Sequence, residues 1–244
     1  MYAEQQFELI AGSWEPDGPV GKAVADTCVH LLKQAVDERG TAVLAVPGGR
    51  SITRILEVLR DDSRMPWEHV QVFWVDERWV PLEHPDSNFK LAWDSVLSPL
   101  VAEGRMHQDQ VHPFRYLPDI PDGGVGLYQS EFRHYTAQYG ERFDLVMLGV
   151  GEDGHCASLF PYHAATADES YGFIPVQDSP KPPPQRMSAS RSMIAAARAA
   201  VLLFFGEGKR TALERFRDTG VPEQACPAKI ALHAGRVIVV TDIT

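Results

Sequence analysis

The chain has 244 residues, 44% of them hydrophobic and 23% charged, which is enough apolar material for a sizeable core and a length for one large α/β domain or two small ones. Its formal charge of −10 sets it against nucleic acid and anionic membrane surfaces as partners. An anionic substrate would therefore need positive side chains gathered locally against that field. Residues 1–6 lack the basic-then-apolar pattern of a signal peptide, and the longest apolar run, at 199–205, is too short to span a bilayer. Cys28, Cys156 and Cys226 show no CxxC spacing, which suits a reducing cytoplasm and argues against a zinc site.

Residues 20–36 place Val24, Cys28, Leu31, Leu32 and Ala35 at helical spacing, and residues 42–46 follow as a short apolar run without polar alternation. That run ends in Pro47-Gly48-Gly49-Arg50-Ser51. Two glycines allow a sharp turn and a close backbone approach to a ligand. Ser51 can cap the next helix, whose free N–H groups favour a phosphate, and Arg50 adds a charge. A plain strand-to-helix turn explains the same residues equally well. Ile52, Ile55, Leu56 and Leu59 mark one face of that helix, over 51–59. The apolar run 70–75 then meets Asp76-Glu77-Arg78-Trp79, a solvated charged turn or the lip of a crevice. Ser87-Asn88 opens another helix, with Asp86 or Ser87 as its cap. Residues 111–124, rich in Pro, Asp and Gly, read as an irregular excursion.

The run 143–150 enters Gly151-Glu152-Asp153-Gly154-His155-Cys156. Glycines make room beside a ligand, imidazole is the usual acceptor of a proton from water at neutral pH, and Asp153 could orient the ring or hold the loop. Adjacent side chains rarely serve one reacting centre, so a Cys156–His155 nucleophile is set aside. The other histidines show no metal-ligand spacing. Residues 180–184, Pro-Lys-Pro-Pro-Pro, read as an extended connector. The run 201–205 precedes Gly206-Glu207-Gly208-Lys209 and a helix over 208–216. Lys209 in its first turn opposes the dipole unless an anion binds there. Residues 237–240 form the last apolar run. Strand alternating with helix predicts a single-domain three-layer αβα sandwich over 1–244, around a mainly parallel, Rossmann-like, doubly wound sheet.

Together the Gly48-Gly49-Arg50-Ser51 loop, Asp76-Glu77-Arg78, Ser87-Asn88, the segment from Leu148 through His155 to Ser158-Leu159-Phe160-Pro161, and Gly206-Glu207-Gly208-Lys209 resemble the 6-phosphogluconolactonases in order and spacing. Arg186-Met187-Ser188 is similar to that family's Arg-Ile-Thr. The resemblance implies hydrolysis of a sugar-phosphate lactone by a cytoplasmic monomer or weak homodimer without metal or organic cofactor. It assigns His155 as the base, with Asp76 and Asp153 in the catalytic set. Gly48, Gly49, Arg50, Ser51, Arg78, Asn88, Arg186 and Lys209 become the substrate-binding set. Glucosamine-6-phosphate deaminases are the rival on the same fold, but they look to a Glu where this chain has Phe160 and an Asn where it has Asp153. A non-catalytic sugar-phosphate sensor is a third possibility, although the chain lacks the basic DNA-binding module that such proteins carry.

Overall fold

The computed structural model describes residues 7–243, so the N-terminal stretch read for a signal peptide lies outside the described residues. The strands are β1 (Glu8–Ala11), β2 (Ala42–Val46), β3 (Val70–Trp74), β4 (Asp76–Arg78), β5 (Val111–His112), β6 (Leu145–Gly149), β7 (Phe173–Val176), β8 (Arg186–Ala189), β9 (Ala199–Phe204) and β10 (Val237–Thr241). Seven of them form a sheet in the order β1-β10-β9-β6-β2-β3-β5, and every pairing in it is parallel. The other three make a small antiparallel sheet, β4-β8-β7. The helices are α1 (Pro19–Arg39), α2 (Arg50–Asp61), α3 (Asn88–Ala92), α4 (Ser98–Ala102), α5 (Val125–Thr136), α6 (Ala164–Ala167), α7 (Arg191–Ala195) and α8 (Arg210–Arg217).

Side chains of the central strands alternate between two apolar layers, as the period of a pleated strand requires. Val43 and Ala45 of β2, Val146 and Leu148 of β6, and Ala200, Leu202 and Phe204 of β9 face α5, α7 and α8. Leu44 and Val46, Leu145 and Met147, and Val201 and Leu203 face α1, α2 and α4. Both faces are covered, which is why these strands carry no polar alternation. The α1 stripe is buried at Val24, Cys28, Leu32 and Ala35, with Leu31 at its margin, and α2 buries Ile52, Ile55, Leu56 and Leu59. Among the described residues no helix is long and apolar enough to cross a membrane.

Four local expectations need correction. Ser51 does not cap α2; Gly49 is the N-cap, at φ +105°, and no side chain bonds there. Lys209 precedes α8 as its N-cap, at the end of a 3-10 turn, because Gly206 at φ +88° redirects the chain first. Residues 180–184 are not an extended connector. They close a bend between β7 and β8 in which the Ser179 amide donates to the Pro184 carbonyl at 3.0 Å. The charged Asp76-Glu77-Arg78 is neither a solvated turn nor simply a lip: it is strand β4, with Asp76 and Glu77 buried.

Glu77 explains why a charged tripeptide is stable there. Its Oε1 accepts from the amides of Arg78 (2.7 Å) and Asn88 (2.8 Å), and its Oε2 from the Phe89 amide (2.7 Å) and the Ser87 hydroxyl (3.1 Å). One carboxylate thus ties β4 to the start of α3, where Ser87 is the cap that bonds the Lys90 amide. Burial pushes the Glu77 carboxyl up to about 7, against the pull of those three amides. A raised value means that the folded form holds the proton more tightly than the unfolded one. The stability contributed is therefore fullest below about pH 4.5 and is lost as pH rises through about 7. The stability advantage of the native protein over Glu77→Gln should accordingly shrink between pH 5 and pH 8, by up to about 3 kcal/mol, in urea unfolding at matched ionic strength. A constant difference across that range would show that Glu77 stays ionised throughout.

Candidate active site

Parallel strands leave their connections at their carboxyl ends, and β2 and β6 send theirs to opposite faces of the sheet, α2 into one apolar layer and α6 and α7 into the other. This is the switch point at which open α/β sheets hold ligands. The two loops meet closely: a Cβ on Gly149 would lie 3.9 Å from the Gly48 carbonyl oxygen.

On the β2 side, a Cβ on Gly48 would fall 1.8 Å from Oδ1 of Asn88, so only glycine lets this backbone lie against that amide. Asn88 donates through Nδ2 to the Asp76 carbonyl at 2.9 Å. Asp76, 4% exposed, accepts from the Ser158 hydroxyl at 2.8 Å, which joins this cluster to the histidine loop. Arg50 is exposed and Ser51 half-buried, and neither side chain makes a hydrogen bond or ion pair among the described residues. Arg78 gives Nη1 to the Asp86 carbonyl at 2.7 Å, while its Nε is buried without a hydrogen-bond partner.

Arg186 stands opposite Arg78 in the β4–β8 register. It is buried, and it donates Nε to the Pro183 carbonyl (3.0 Å) and Nη2 to those of Lys181 (3.0 Å) and Pro182 (3.2 Å). Its guanidinium lies 5.5 Å from the centre of the Phe160 ring. Burial lowers its pKa, with Asp76 opposing that and Arg78 adding to it.

On the β6 side, Gly154 at φ +88° closes a tight loop in which the Gly151 amide donates to the His155 carbonyl at 2.8 Å. The His155 ring packs on Phe160 with centroids 4.6 Å apart, and its Nδ1 lies 2.5 Å from Asp153 Oδ1. Burial alone would raise the Asp153 carboxyl, but its hydrogen bond to His155 and the nearby Lys181 charge outweigh that and hold it well below the usual carboxylate range. An ionised Asp153 can only accept, so it favours the tautomer with the proton on Nδ1, in which Nε2 carries the lone pair. Lys209 is half-buried; burial lowers its pKa, with Glu152 opposing. The Cys156 thiol is buried and raised by that burial, and it reaches the Pro227 carbonyl at 3.6 Å.

The structure therefore gathers Gly48, Asn88, Asp76, Arg78 and Arg186 into one cluster, and Asp153, His155 and Lys209 into another. Ser158 and Phe160 join the two. Sequence reasoning passed over Glu77, Ser158 and Lys181; only the short interval from Lys181 to Arg186 hinted at the last. A separate cavity of about 530 Å³ lies over the amino ends of the strands, lined by Arg39, Asp144, Arg198 and Arg236 among others. There Arg39 and Arg198 pair with Asp144, and Arg236 pairs with Glu8.

Residues 18–239 match the family model described as glucosamine-6-phosphate isomerases/6-phosphogluconolactonase. The chain is 34% identical over 219 residues to a 6-phosphogluconolactonase of Synechocystis sp., covering 86% of each chain. It is 31% identical over 221 residues to one of Borreliella burgdorferi, covering 89% of this chain and 91% of the relative. Among solved structures, a 6-phosphogluconolactonase from Shewanella baltica superposes with a TM-score of 0.79 at 22% identity, covering 98% of this chain and 99% of that one. One from Thermotoga maritima gives 0.76 at 21% identity, covering 97% and 100%. The chain belongs to the glucosamine-6-phosphate isomerase/6-phosphogluconolactonase family.

Gly151 is the position where the loop has least room. A Cβ there would sit 1.9 Å from His155 Nδ1 and 2.5 Å from Asp153 Oδ1. Gly151→Ala should separate that pair and lower turnover roughly a hundredfold, the scale set by removing a positioned base. Because the clash falls on the His155 and Asp153 side chains and not on either apolar layer, the melting temperature should change little. Retained turnover would mean that the Asp153–His155 contact is dispensable.

Proposed function

We propose that the chain hydrolyses 6-phospho-D-glucono-1,5-lactone to 6-phospho-D-gluconate, with His155 activating water and no metal taking part. The observation that carries this reading is the 2.5 Å contact between Asp153 and His155 Nδ1, which leaves Nε2 as a base at the switch point. Ring Nε2 takes a proton from water as its oxygen attacks the lactone carbonyl. The tetrahedral intermediate then expels the ring oxygen, which receives that proton from the imidazolium. Asp153 faces the positive ring at this stage and steadies it. The product acid ionises, so each turnover releases one proton to solution. The lactone is an activated ester that water attacks unaided, and a positioned base and oriented substrate are sufficient.

The phosphate falls to the first turn of α2, with Arg50 and Ser51 beside its free amides, and to Arg78 and Lys209. An Arg78 Nε that is buried without a protein partner supports an anionic ligand there. Gly48 and Asn88 shape the floor of the crevice. Asp76 and Arg186, both buried and bonded to protein groups, hold the two clusters in register rather than meet water. One apolar cluster runs from the large sheet into the small one, so the chain works as one unit. Its three buried free cysteines suit the cytoplasm. A deaminase would need a second proton carrier beside His155, and the buried ring of Phe160 fills that place.

A pH-stat assay on freshly generated lactone with excess chelator tests the whole reading: acid release should be unaffected by EDTA. Loss of activity that zinc or magnesium restores would overturn the metal-free mechanism, and ammonia release from glucosamine 6-phosphate would favour the rival. His155→Ala should fold, still bind 6-phosphogluconate and lose roughly a hundredfold or more in turnover. The native acid limb, where the imidazole protonates, should disappear with it. Arg78→Ala or Lys209→Ala should raise KM more than it lowers kcat, with unphosphorylated gluconolactone little affected. An equal loss on both lactones would assign these cations to the fold or the chemistry.

A further inference from the structure

We infer that Lys181 is a positioning residue for the His155 base, its ammonium screening Asp153 so that the imidazole stays neutral to lower pH than the Asp153–His155 pair alone would allow. The inference rests on His155 acting as the base.

Lys181 Nζ lies 3.3 Å from Asp153 Oδ2 and 3.3 Å from His155 Nδ1. The Nδ1 proton is committed to Asp153 Oδ1, so the ammonium bonds the other carboxylate oxygen and acts on the ring through charge. Its contact is with the Nδ1 edge of the ring, away from the lone pair that meets water.

The backbone beneath Lys181 is unusually well fixed for a half-exposed lysine. Three successive carbonyls, of Lys181, Pro182 and Pro183, turn inward onto the buried guanidinium of Arg186. Ser179 adds a bond from its hydroxyl to the Lys181 carbonyl (3.0 Å) and accepts from the Lys181 amide (3.2 Å). A solvated lysine gains little from being held in one geometry. Here the geometry is supplied by the bend itself, and the ammonium is delivered to the catalytic pair.

The sign of the effect follows from two contributions that agree. Lys181 repels the imidazolium directly, and it neutralises part of the Asp153 charge that would otherwise stabilise that imidazolium. Removing it relieves the repulsion and restores the full carboxylate, so both changes favour protonation of His155. The other charged groups around the ring are Asp153 and Glu152 on its own loop, Arg186 behind Phe160, Asp76 beyond Ser158, and Lys209 and Arg215 from the α8 region. All of them stay in place when Lys181 alone is changed.

The test is an NMR titration of the His155 ring in the free protein, with its resonance identified by its loss in His155→Gln. This readout needs no turnover. In Lys181→Met the midpoint should rise by about half a unit to one unit, as expected for losing a nearby like charge that is partly screened by solvent. In Lys181→Arg, which keeps the charge, it should stay near the native value. The acid limb of kcat should move with the ring. An unmoved midpoint in Lys181→Met overturns the inference even if kcat falls, since the lysine would then serve the loop or the substrate. An equal rise in Lys181→Arg overturns it too, by assigning the effect to a disturbed bend. If the midpoint moves as expected but no lactone is hydrolysed, the charge effect stands and the proposed reaction fails.

Discussion

Strands β2 and β6 share only the paired positions Leu44–Leu145 and Ala45–Val146 before their chains part toward opposite faces of the sheet. Neighbouring ladders such as β6–β9 and β2–β3 run five pairs each, so this short central seam is where the sheet opens at its carboxyl end. Backbone amides, helix α2 and the histidine loop can all reach the gap, because no further ladder fills it. Crowding beside the gap requires glycine at positions 48 and 151. At 48 and 151 any side chain would fall on Asn88 or on the Asp153–His155 pair. The seam is held at its other end by Asp144, whose carboxylate accepts from the Val43 amide at 2.8 Å and pairs with Arg39 and Arg198.

Charge is the second constraint. A chain at −10 that binds an anion must concentrate cations, yet Arg78 and Arg186 stand directly opposite each other across two strands. Like charges in such register are destabilising unless compensated. Asp76 and Glu77 on the same strand supply the compensation. Asp76 favours the charged form of Arg186, and Glu77 spends its oxygens on amides that start α3. The three-residue strand β4 thus sets two carboxylates before Arg78 at its end. Arg186 is drawn into the protein by carbonyls, so its charge is used to shape the bend that carries Lys181.

Much of this was legible in the sequence, for physical reasons that differ by element. Runs such as Ala42–Val46 are buried on both faces, and continuous Val, Leu and Ala admits few other readings. The glycines around His155 announced a crowded loop because crowding is what glycine relieves. Strand β4 was not legible, since Asp-Glu-Arg has poor strand propensity and is stabilised by partners such as Ser158 and Asn88 that lie far away in sequence or turn back onto it. Ser51 looked like a cap because its type suits that role, whereas the cap position went to a glycine whose φ of +105° only the tertiary path requires. The role of Lys181 was invisible for a similar reason. A Pro-rich segment reads as extended until a buried Arg186, itself positioned by the small sheet, collects its carbonyls.

The family joins two chemistries, and in the reading proposed for this chain the difference between them lies in what the imidazole of His155 touches. One edge of the ring is taken by Asp153, which is ionised and bound to Lys181. Phe160, fully buried and tilted against the ring, packs 4.6 Å away between centroids. An aromatic neighbour can fix the ring plane and exclude water from that side, but it cannot relay a proton. With Nδ1 facing Asp153, Nε2 is the nitrogen left for the single proton exchange that the proposed ester hydrolysis requires. The same Phe160 ring receives the Arg186 guanidinium, 5.5 Å from its centre. Loss of its apolar bulk would therefore loosen the imidazole, the bend and the cation together. Phe160 thus packs against the two side chains, His155 and Arg186, on which the proposed site depends.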